Sequence, residues 1–218
     1  MSSAIVNRII PFSYVDGPGN RTAIFLQGCN QKCLYCHNPE TINVCVGCGS
    51  CVEHCPTKAI TMVDGRVSYD IRKCVNCDTC IKVCPNLSSP KVRKMEASEV
   101  FAEIRSYLPF IDGITVSGGE CTLYPEFITE LFTLGKQEGK TTYIDTNGQT
   151  QVTSYQKLLE VTDKFMIDIK AVDDQEHMHM TGRSAAMPLH NLQALAEMGK
   201  VFEIRTVVVP GLYDSTKT

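Results

Sequence analysis

The sequence predicts an α/β protein in which a partial parallel barrel of about five strands is interrupted by a small cysteine-rich insert. Apolar, β-branched runs occur at 22–26, 113–116, 141–144, 165–169 and 202–209, and such runs are typical of buried parallel strands. Helical patterns at 125–139, 154–161 and 188–199 separate the later runs. Strands that alternate with helices predict a parallel sheet with crossover helices.

The spacing of the runs divides the chain into two regions. The later strands follow one another at about one βαβ unit, roughly 30 residues, each. The gap between the first and second strands is much longer, and the cysteine-rich segment 43–88 accounts for the excess. We therefore expect residues 1–42 and 89–218 to form the barrel, and residues 43–88 to form the insert.

Composition argues against several classes of partner. The chain of 218 residues has a formal net charge of -3, which does not indicate a basic surface for nucleic acid or an anionic membrane. No apolar run approaches the roughly 20 residues of a transmembrane helix, and the N-terminus lacks the pattern of a signal peptide. We expect a cytoplasmic protein with neither nucleic acid nor a membrane as its partner.

Cysteine is the unusual residue, with 12 in the chain. Disulfides are rare in a reducing compartment, so clustered cysteines favour metal binding. One cysteine, Cys121, stands alone, and we expect it to pack as a small apolar residue rather than to act as a ligand. The other cysteines form a triplet and two quartets.

The two quartets form an internal repeat. Each matches the bacterial ferredoxin pattern C-x2-C-x2-C-x3-C-P, in which the fourth cysteine binds the other cluster. We therefore predict two [4Fe-4S] clusters, one held by Cys45, Cys48, Cys51 and Cys84 and the other by Cys74, Cys77, Cys80 and Cys55. Structural zinc is the alternative metal, and the clusters would act either as an electron relay or as a purely structural insert.

The triplet consists of Cys29, Cys33 and Cys36 in the spacing CxxxCxxC. Three protein thiolates leave the fourth iron of a cluster without a protein ligand, just as a three-ligand zinc site keeps an open catalytic position. Three unconnected cysteines, or a zinc site completed by His37, are the alternatives that the spacing leaves open.

Polar residues lie at or just after the ends of the first four predicted strands, and Arg205 lies on the fifth. In parallel barrels, the residues at the C-terminal ends of the strands gather at one face and form the site. The candidates are Cys29, then Gly118, Gly119 and Glu120, then Asp145 and Thr146, then Asp168 and Lys170, and finally Arg205. Taken singly, the motif at 118–120 could be a flexible turn, 147–148 an Asn-Gly turn, and Lys170 a solvated lysine.

Together these motifs resemble the radical S-adenosylmethionine (SAM) superfamily, which the triplet with Tyr35 before its last cysteine indicates. The DGPG at 16–19 and the CHNPE at 36–40 are similar to the activating enzymes of glycyl-radical enzymes. The insert marks the branch with extra clusters, and the order of motifs through ITVSGGE and TGR most resembles activases of the YjjW type. The resemblance implies a partial radical-SAM barrel with an inserted, ferredoxin-like domain that holds two [4Fe-4S] clusters.

The resemblance also implies roles for the site residues. The triplet cluster would bind SAM, residues 118–120 would contact its amino group, and Lys170 and Arg205 would contact SAM or its carboxylate. A monovalent cation beside that carboxylate would be held by Asp145, Thr146, Asp168 and the carbonyl of Met166. Tyr35 would lie at the cofactor site.

The reaction that the resemblance implies is reductive cleavage of SAM to methionine and a 5′-deoxyadenosyl radical. This radical would remove a hydrogen atom from a backbone glycine of a partner glycyl-radical enzyme, whose glycine loop Asp16 would face. Three [4Fe-4S] clusters in all would receive electrons from a low-potential donor, flavodoxin or ferredoxin.

Two other functions stay open. A radical SAM enzyme that modifies a small molecule would share the triplet, the GGE motif and the barrel, although the DGPG, CHNPE and DTNG/DIK motifs argue against it. An electron-transfer iron–sulfur protein that has lost its radical chemistry, or is truncated, is the other alternative.

Two further expectations concern the C-terminal third of the chain. The polar helical stretch that carries His177 and His179 is expected at the surface. The family implies another helix and a sixth strand after Arg205, but residues 212–218 are too few for a further βα unit. We therefore expect an uncovered fifth strand in a fragment, a natural truncation or a chain that another chain completes.

Overall fold

The computed structural model describes residues 2–211. In chain order the strands are β1 (Ser3–Ser13), β2 (Arg21–Leu26), β3 (Ile60–Val63), β4 (Arg66–Tyr69), β5 (Arg93–Glu96), β6 (Gly113–Gly118), β7 (Thr141–Thr146), β8 (Lys164–Asp168) and β9 (Val201–Arg205). The helices are α1 (Thr79–Lys82), α2 (Ala97–Ile104), α3 (Pro125–Gln137), α4 (Gln156–Val161), α5 (Asp174–Thr181) and α6 (Ala186–Glu197). Within residues 2–211, none of these helices has the length and apolar character needed to cross a membrane.

The main sheet has seven strands in the order β5-β1-β2-β6-β7-β8-β9. The strands from β2 to β9 in this order are parallel to one another and coincide with the five predicted runs. The prediction of an α/β fold with a mostly parallel sheet is therefore confirmed. Strands β1 and β5 have no counterpart among the predicted runs, and they extend the sheet because β1 pairs antiparallel with both β2 and β5.

The last parallel strand is shorter than its sequence pattern. Strand β9 ends at Arg205, although the apolar run continues to residue 209. Its neighbour β8 ends at Asp168, which is opposite Arg205. Strand β9 ends there because β-branched residues form a ladder only where a neighbouring strand is available to pair. Residues 212–218, on which the expectation of a missing sixth strand depends, lie outside the described residues.

Helix α3 shows how the helices cover the sheet. Its buried residues include Phe127, Ile128, Leu131 and Phe132, whose i, i+4 spacing places them on one face. The same apolar core contains buried residues of β2, β6, β7 and β8. Each fully buried large apolar side chain stabilises the fold by roughly 1.5–3 kcal/mol. The packing of this helix on the sheet therefore helps to fix the positions of the strands relative to one another.

Residues 43–88 form a small unit with a sheet of their own. Asn43 and Ser88 are joined by an isolated parallel bridge, so the two ends of this unit lie side by side. The unit contains the two-stranded sheet β3–β4, the short helix α1 and a separate buried cluster. The turn between β3 and β4 is formed by Asp64 and Gly65, which both have positive φ.

Helix α5 contradicts one expectation. His179 is exposed, but His177 is fully buried, so the prediction that both histidines lie at the surface is wrong for His177. The His177 Nδ1 lies 2.6 Å from the carbonyl oxygen of Arg183, and the helix turns this imidazole inward to reach it. The polar composition of the helix concealed a buried hydrogen-bonding position.

Candidate active site

A cavity of about 670 Å³ opens at the C-terminal ends of the parallel strands. The residues that line it come from the ends of all five parallel strands, which is the usual place for a site in parallel α/β barrels. The predicted site residues that line it are Cys29, Cys33, Tyr35, Cys36, Gly118, Gly119, Asp145, Thr146, Asp168, Lys170 and Arg205. Glu120 and Asp16 are not among its lining residues.

The three cysteines of the triplet lie on a loop that follows β2. The amide of Cys29 donates to the carbonyl of Ile42 (2.9 Å), and that of Cys36 donates to the carbonyl of Cys33 (3.1 Å). Burial raises the pKa of the Cys29 thiol to about 12 and also raises that of Cys33. Such thiols ionise when a metal displaces the proton, and three soft thiolates at one cavity fit an iron–sulfur cluster with one open iron.

The cysteines do not converge on a single point. Within residues 2–211, no three His, Cys, Asp or Glu side chains come together closely enough to hold one metal ion. A four-iron cluster does not require this convergence, because each of its thiolate ligands binds a different iron atom. The donor set therefore fits a cluster better than it fits a mononuclear zinc site.

Gly118 and Gly119 are needed for close packing rather than for flexibility. A Cβ atom at Gly118, whose φ is +128°, would lie 2.2 Å from the carbonyl oxygen of Leu26. A Cβ atom at Gly119 would lie 2.3 Å from the carbonyl oxygen of Gly28. The two glycines thus let the end of β6 approach the end of β2, and they leave bare backbone on the cavity wall where a ligand can reach it.

The Glu120 carboxylate is buried behind the cavity wall. It is 1% exposed and accepts hydrogen bonds from the amide and hydroxyl of Thr122, from the Thr146 hydroxyl (2.8 Å) and from the Asn147 amide (2.8 Å). Burial raises its pKa, although these hydrogen bonds oppose the rise. Glu120 therefore ties the turn after β6 to the turn after β7, and its direct contact with SAM stays a prediction.

Two acidic residues at the cavity each have a basic partner. Asp145 Oδ2 accepts hydrogen bonds from Arg205 (3.3 Å) and the Ser117 hydroxyl (2.9 Å), and Asp168 Oδ2 accepts one from Lys170 Nζ (2.6 Å). Burial and then the nearby Asp168 raise the pKa of Asp145 to about 7, against the effect of Arg205. Burial disfavours the charged form of Lys170, but Asp168 outweighs it and raises the pKa of Lys170. This set of charges can bind both ends of a zwitterion.

Asn147 is a site residue that the sequence analysis interpreted only as part of a turn. It lines the cavity, and its Nδ2 lies 3.6 Å from Cys29 Sγ and 3.0 Å from Asn30 Oδ1. An amide group beside a ligand sulfur can tune a cluster, because hydrogen bonds to the sulfurs shift reduction potentials. Its position immediately after Asp145 and Thr146, at the end of a strand, was the sequence feature that could have identified it as a site residue.

Asp16, the predicted partner contact, is largely covered. It is 8% exposed, and its carboxylate accepts a hydrogen bond from the Ser13 hydroxyl. The two preceding residues are the exposed ones, Tyr14 at 76% and Val15 at 79%. The carbonyl of Val15 accepts a hydrogen bond from Arg205 (3.3 Å), so this segment reaches a residue of the cavity wall.

The cysteines of the two quartets line two further, smaller cavities. One is lined by Cys45, Cys48, Cys51 and Cys84, and the other by Cys55, Cys74, Cys77 and Cys80. Each cavity thus combines three cysteines of one quartet with the fourth cysteine of the other. This is the exchange of fourth ligands that the ferredoxin pattern describes, and cluster binding at the two cavities stays a prediction.

The chain is similar to known proteins over most of its length. Residues 23–217 match the model of the radical SAM superfamily. The pyruvate formate-lyase-activating enzyme of Streptococcus mutans is 32% identical over 97% of this chain and 68% of its own length. The benzylsuccinate synthase activating enzyme of Thauera aromatica is 34% identical over 99% and 71%. The trans-4-hydroxy-L-proline dehydratase activating enzyme of Clostridioides difficile is 34% identical over 90% and 70%. The chain belongs to the radical SAM superfamily and, within it, to the activating enzymes of glycyl-radical enzymes.

Proposed function

We propose that this protein activates a glycyl-radical enzyme by removing a hydrogen atom from one of its backbone glycines. The observation that carries the proposal is the cavity where the cysteine triplet meets the ends of five parallel strands, in a chain of this family. When bound there, a reduced [4Fe-4S] cluster and SAM supply the 5′-deoxyadenosyl radical chemistry. The chain itself has to bind and orient SAM, position the target glycine and exclude water and oxygen.

The residues of the cavity divide into groups with separate tasks. Cys29, Cys33 and Cys36 would hold the cluster. The backbone at 118–119 and the side chain of Tyr35 would contact SAM, with Glu120 fixing the turn behind them. The cationic groups of Lys170 and Arg205 suit the SAM carboxylate, because opposite charges pair strongly in a partly buried site.

A monovalent cation beside the SAM carboxylate would be held by Asp145, Thr146 and Asp168. The two carboxylates support this assignment because they lie on neighbouring strand ends of one cavity. Each already has a basic partner, so the cation would share these carboxylates with Lys170 and Arg205 rather than replace a missing charge.

Residues 43–88 would form a ferredoxin-like insert with two more [4Fe-4S] clusters, as in the YjjW-type branch, and residues 1–42 and 89–218 the barrel. The two cysteine-lined cavities support this assignment. The insert is also tied to the site, because Ile42, which accepts the hydrogen bond from Cys29, lies three residues before Cys45. The clusters would relay electrons from flavodoxin or ferredoxin, since ferredoxin-type clusters reach roughly -400 mV. The cytoplasm is the compartment that suits such donors.

The segment around Asp16 would receive the glycine loop of the partner enzyme. The exposed side chains of Tyr14 and Val15 support this role, since an aromatic and an aliphatic side chain in the open are suited to a protein contact. The hydrogen bond from Arg205 to the Val15 carbonyl would couple that contact to the wall of the SAM cavity.

The test is to reconstitute the protein anaerobically, reduce it with dithionite and measure 5′-deoxyadenosine by chromatography. An enzyme of this class forms it from SAM, whereas an electron carrier would form none. An absence of product from a protein that holds its full iron content would contradict the proposal.

A second measurement separates this function from that of a radical SAM enzyme for small molecules. We expect a glycyl-radical doublet in the electron paramagnetic resonance (EPR) spectrum when a candidate glycyl-radical enzyme, chosen from neighbouring genes, is added with SAM. With the partner enzyme deuterated at that glycine, transfer of deuterium to 5′-deoxyadenosine would identify the abstracted atom. SAM cleavage without a doublet on any candidate would favour the small-molecule alternative.

A further inference from the structure

The loop that carries the triplet is ordered by a segment from the far end of the chain. Between residues 29 and 36 the backbone forms neither helix nor strand, so the positions of its thiols depend on contacts from outside. The amide of Lys32 donates to the carbonyl of Thr181, and the amide of Leu34 donates to the carbonyl of Met180, both at 2.9 Å. These two amides flank Cys33, which is therefore held on both sides.

A third contact comes from Arg183, which lies two residues after Thr181. The guanidinium Nε of Arg183 donates to the carbonyl of Asn30 at 2.8 Å. Together, the three bonds fix alternate residues of the loop at positions 30, 32 and 34. A side chain and two carbonyls from residues 180–183 thus act on the backbone between Cys29 and Cys36.

The end of α5 explains why these carbonyls are available. The last carbonyls of a helix have no partner within the helix, and Gly182, with φ +74°, turns the chain away just after Thr181. The amide of Gly182 bonds back to the carbonyl of Met178. This αL turn closes the helix and leaves the carbonyls of Met180 and Thr181 free for the cysteine loop.

The buried His177 holds this turn from within. Its Nδ1 lies 2.6 Å from the Arg183 carbonyl oxygen and 3.1 Å from the Thr181 hydroxyl. Because a carbonyl can only accept, Nδ1 carries the hydrogen in this contact. The Thr181 hydroxyl in turn accepts a hydrogen bond from the Arg183 amide (3.1 Å). His177 therefore contacts two of the three residues that bond to the loop, Thr181 and Arg183.

We infer that His177 and the segment 180–183 are a template for the cysteine loop, and that they position the triplet thiolates for cluster and SAM binding. None of these residues lines the cavity, so they are positioning residues rather than catalytic ones. The inference rests on the proposed cluster at Cys29, Cys33 and Cys36. It goes further, because it assigns the geometry of that cluster's ligands to a helix end outside the cavity.

The test compares two histidines of one helix in the reconstituted protein of 218 residues. His177→Ala removes the hydrogen bond to the turn, and His177→Asn restores a donor, since an Asn amide nitrogen can take the place of Nδ1. His179→Ala is the matched control, because His179 lies on the same helix but is exposed. Arg183→Ala removes the contact with Asn30 at an exposed position and so provides a variant that does not threaten the core.

The readouts are iron release to a chelator and the change that SAM causes in the EPR spectrum of the reduced protein. In His177→Ala and Arg183→Ala we expect about four of about twelve iron atoms to leave at least about tenfold faster than in the parent, with a diminished response to SAM. His177→Asn and His179→Ala should behave like the parent. If His177→Ala does not fold, Arg183→Ala decides the question alone.

Two outcomes would overturn the inference while leaving the proposed function intact. One is a parental rate of release and a parental SAM response in both His177→Ala and Arg183→Ala. The other is equal acceleration for all clusters, which would show a general loss of stability. A parent that holds iron but shows no response to SAM would overturn the proposed function itself, and this inference with it.

Discussion

The main sheet and its helices bury a continuous apolar core, whereas the buried cluster of residues 43–88 consists of Ile60, Cys51 and Cys80. Two of these three side chains are predicted ligands. Larger apolar residues of the same segment, such as Ile71 and Val75, are each 63% exposed. A unit with so small a core gains little from apolar burial. We infer that the barrel folds on hydrophobic packing and that the insert depends on its metal.

The largest effect is expected when the three cysteines of the triplet are removed from the cavity at the strand ends. Replacing Cys29, Cys33 and Cys36 with Ala should abolish SAM cleavage, because the cluster that carries the open iron would lose its three protein ligands. Iron should fall from about 12 to about 8 atoms per chain, while the thermal unfolding of the barrel stays close to the parental transition. Parental iron content in the triple variant would show that the triplet binds no cluster.

The second prediction concerns the response of the two regions to iron removal. When iron is stripped by a chelator, amide protons of the insert, including those of β3 and β4, should lose their protection from exchange. The reason is that metal binding would supply most of the folding free energy of a unit with so small a core. Amides of β6 and β7, which lie over the apolar core, should stay protected. Hydrogen exchange followed by mass spectrometry makes the comparison. An insert that remains protected without iron would contradict the proposed difference.

The third prediction tests what the insert does for the barrel. Cys45→Ala combined with Cys74→Ala disrupts both proposed insert clusters, and neither residue is fully buried. SAM cleavage driven by dithionite should be spared, because a small reductant reaches the barrel cluster directly. Cleavage driven by flavodoxin or ferredoxin should slow at least about tenfold, the effect of losing a relay.

The control for this variant is the parent assayed with both reductants at equal iron occupancy of the triplet. Equal loss of activity with dithionite and with the protein donor would mean that the insert supports the barrel structurally. A parental rate with both donors would mean that electrons enter the barrel cluster without the insert.

The parallel part of the sheet could be predicted because each of its strands is rich in apolar and β-branched residues. Strand β1 could not, since it lies towards the sheet edge and its sequence includes Arg8 and Pro11. Strand β5 contains one buried residue, Met95, and has no pattern to detect. Each strand exists because a neighbour offers an edge on which to pair, β2 for β1 and β1 for β5, which is a tertiary condition rather than a local one.

The site could be predicted as far as its residues follow strand ends. Glu120 shows the limit, because its motif indicated a ligand contact and its carboxylate is buried between two turns. His177 shows a similar limit, because the polar composition of its helix gave no indication that the imidazole is buried. Hydrogen bonds to Thr146 and Asn147, which are distant in sequence, orient Glu120. The partner of His177 is the nearby carbonyl of Arg183, but it becomes available only because the chain turns back after the helix, which the polar pattern does not record.

The smallest predicted effect comes from one substitution made in each region. Gly65 in the insert has φ +72° and Gly139 in the barrel has φ +69°, and a Cβ atom at either position would meet nothing within 4 Å. Gly→Ala should therefore impose the same local strain at both, about 1–2 kcal/mol for a left-handed residue. For a region that unfolds cooperatively, Gly139→Ala should lower the melting temperature by about 2–4 °C per kcal/mol. Gly65→Ala should leave that transition unchanged and should increase hydrogen exchange in β3 and β4 alone. A matching fall in the barrel transition for Gly65→Ala would show that the two regions unfold together, and that the insert is stabilised by the barrel rather than by its metal.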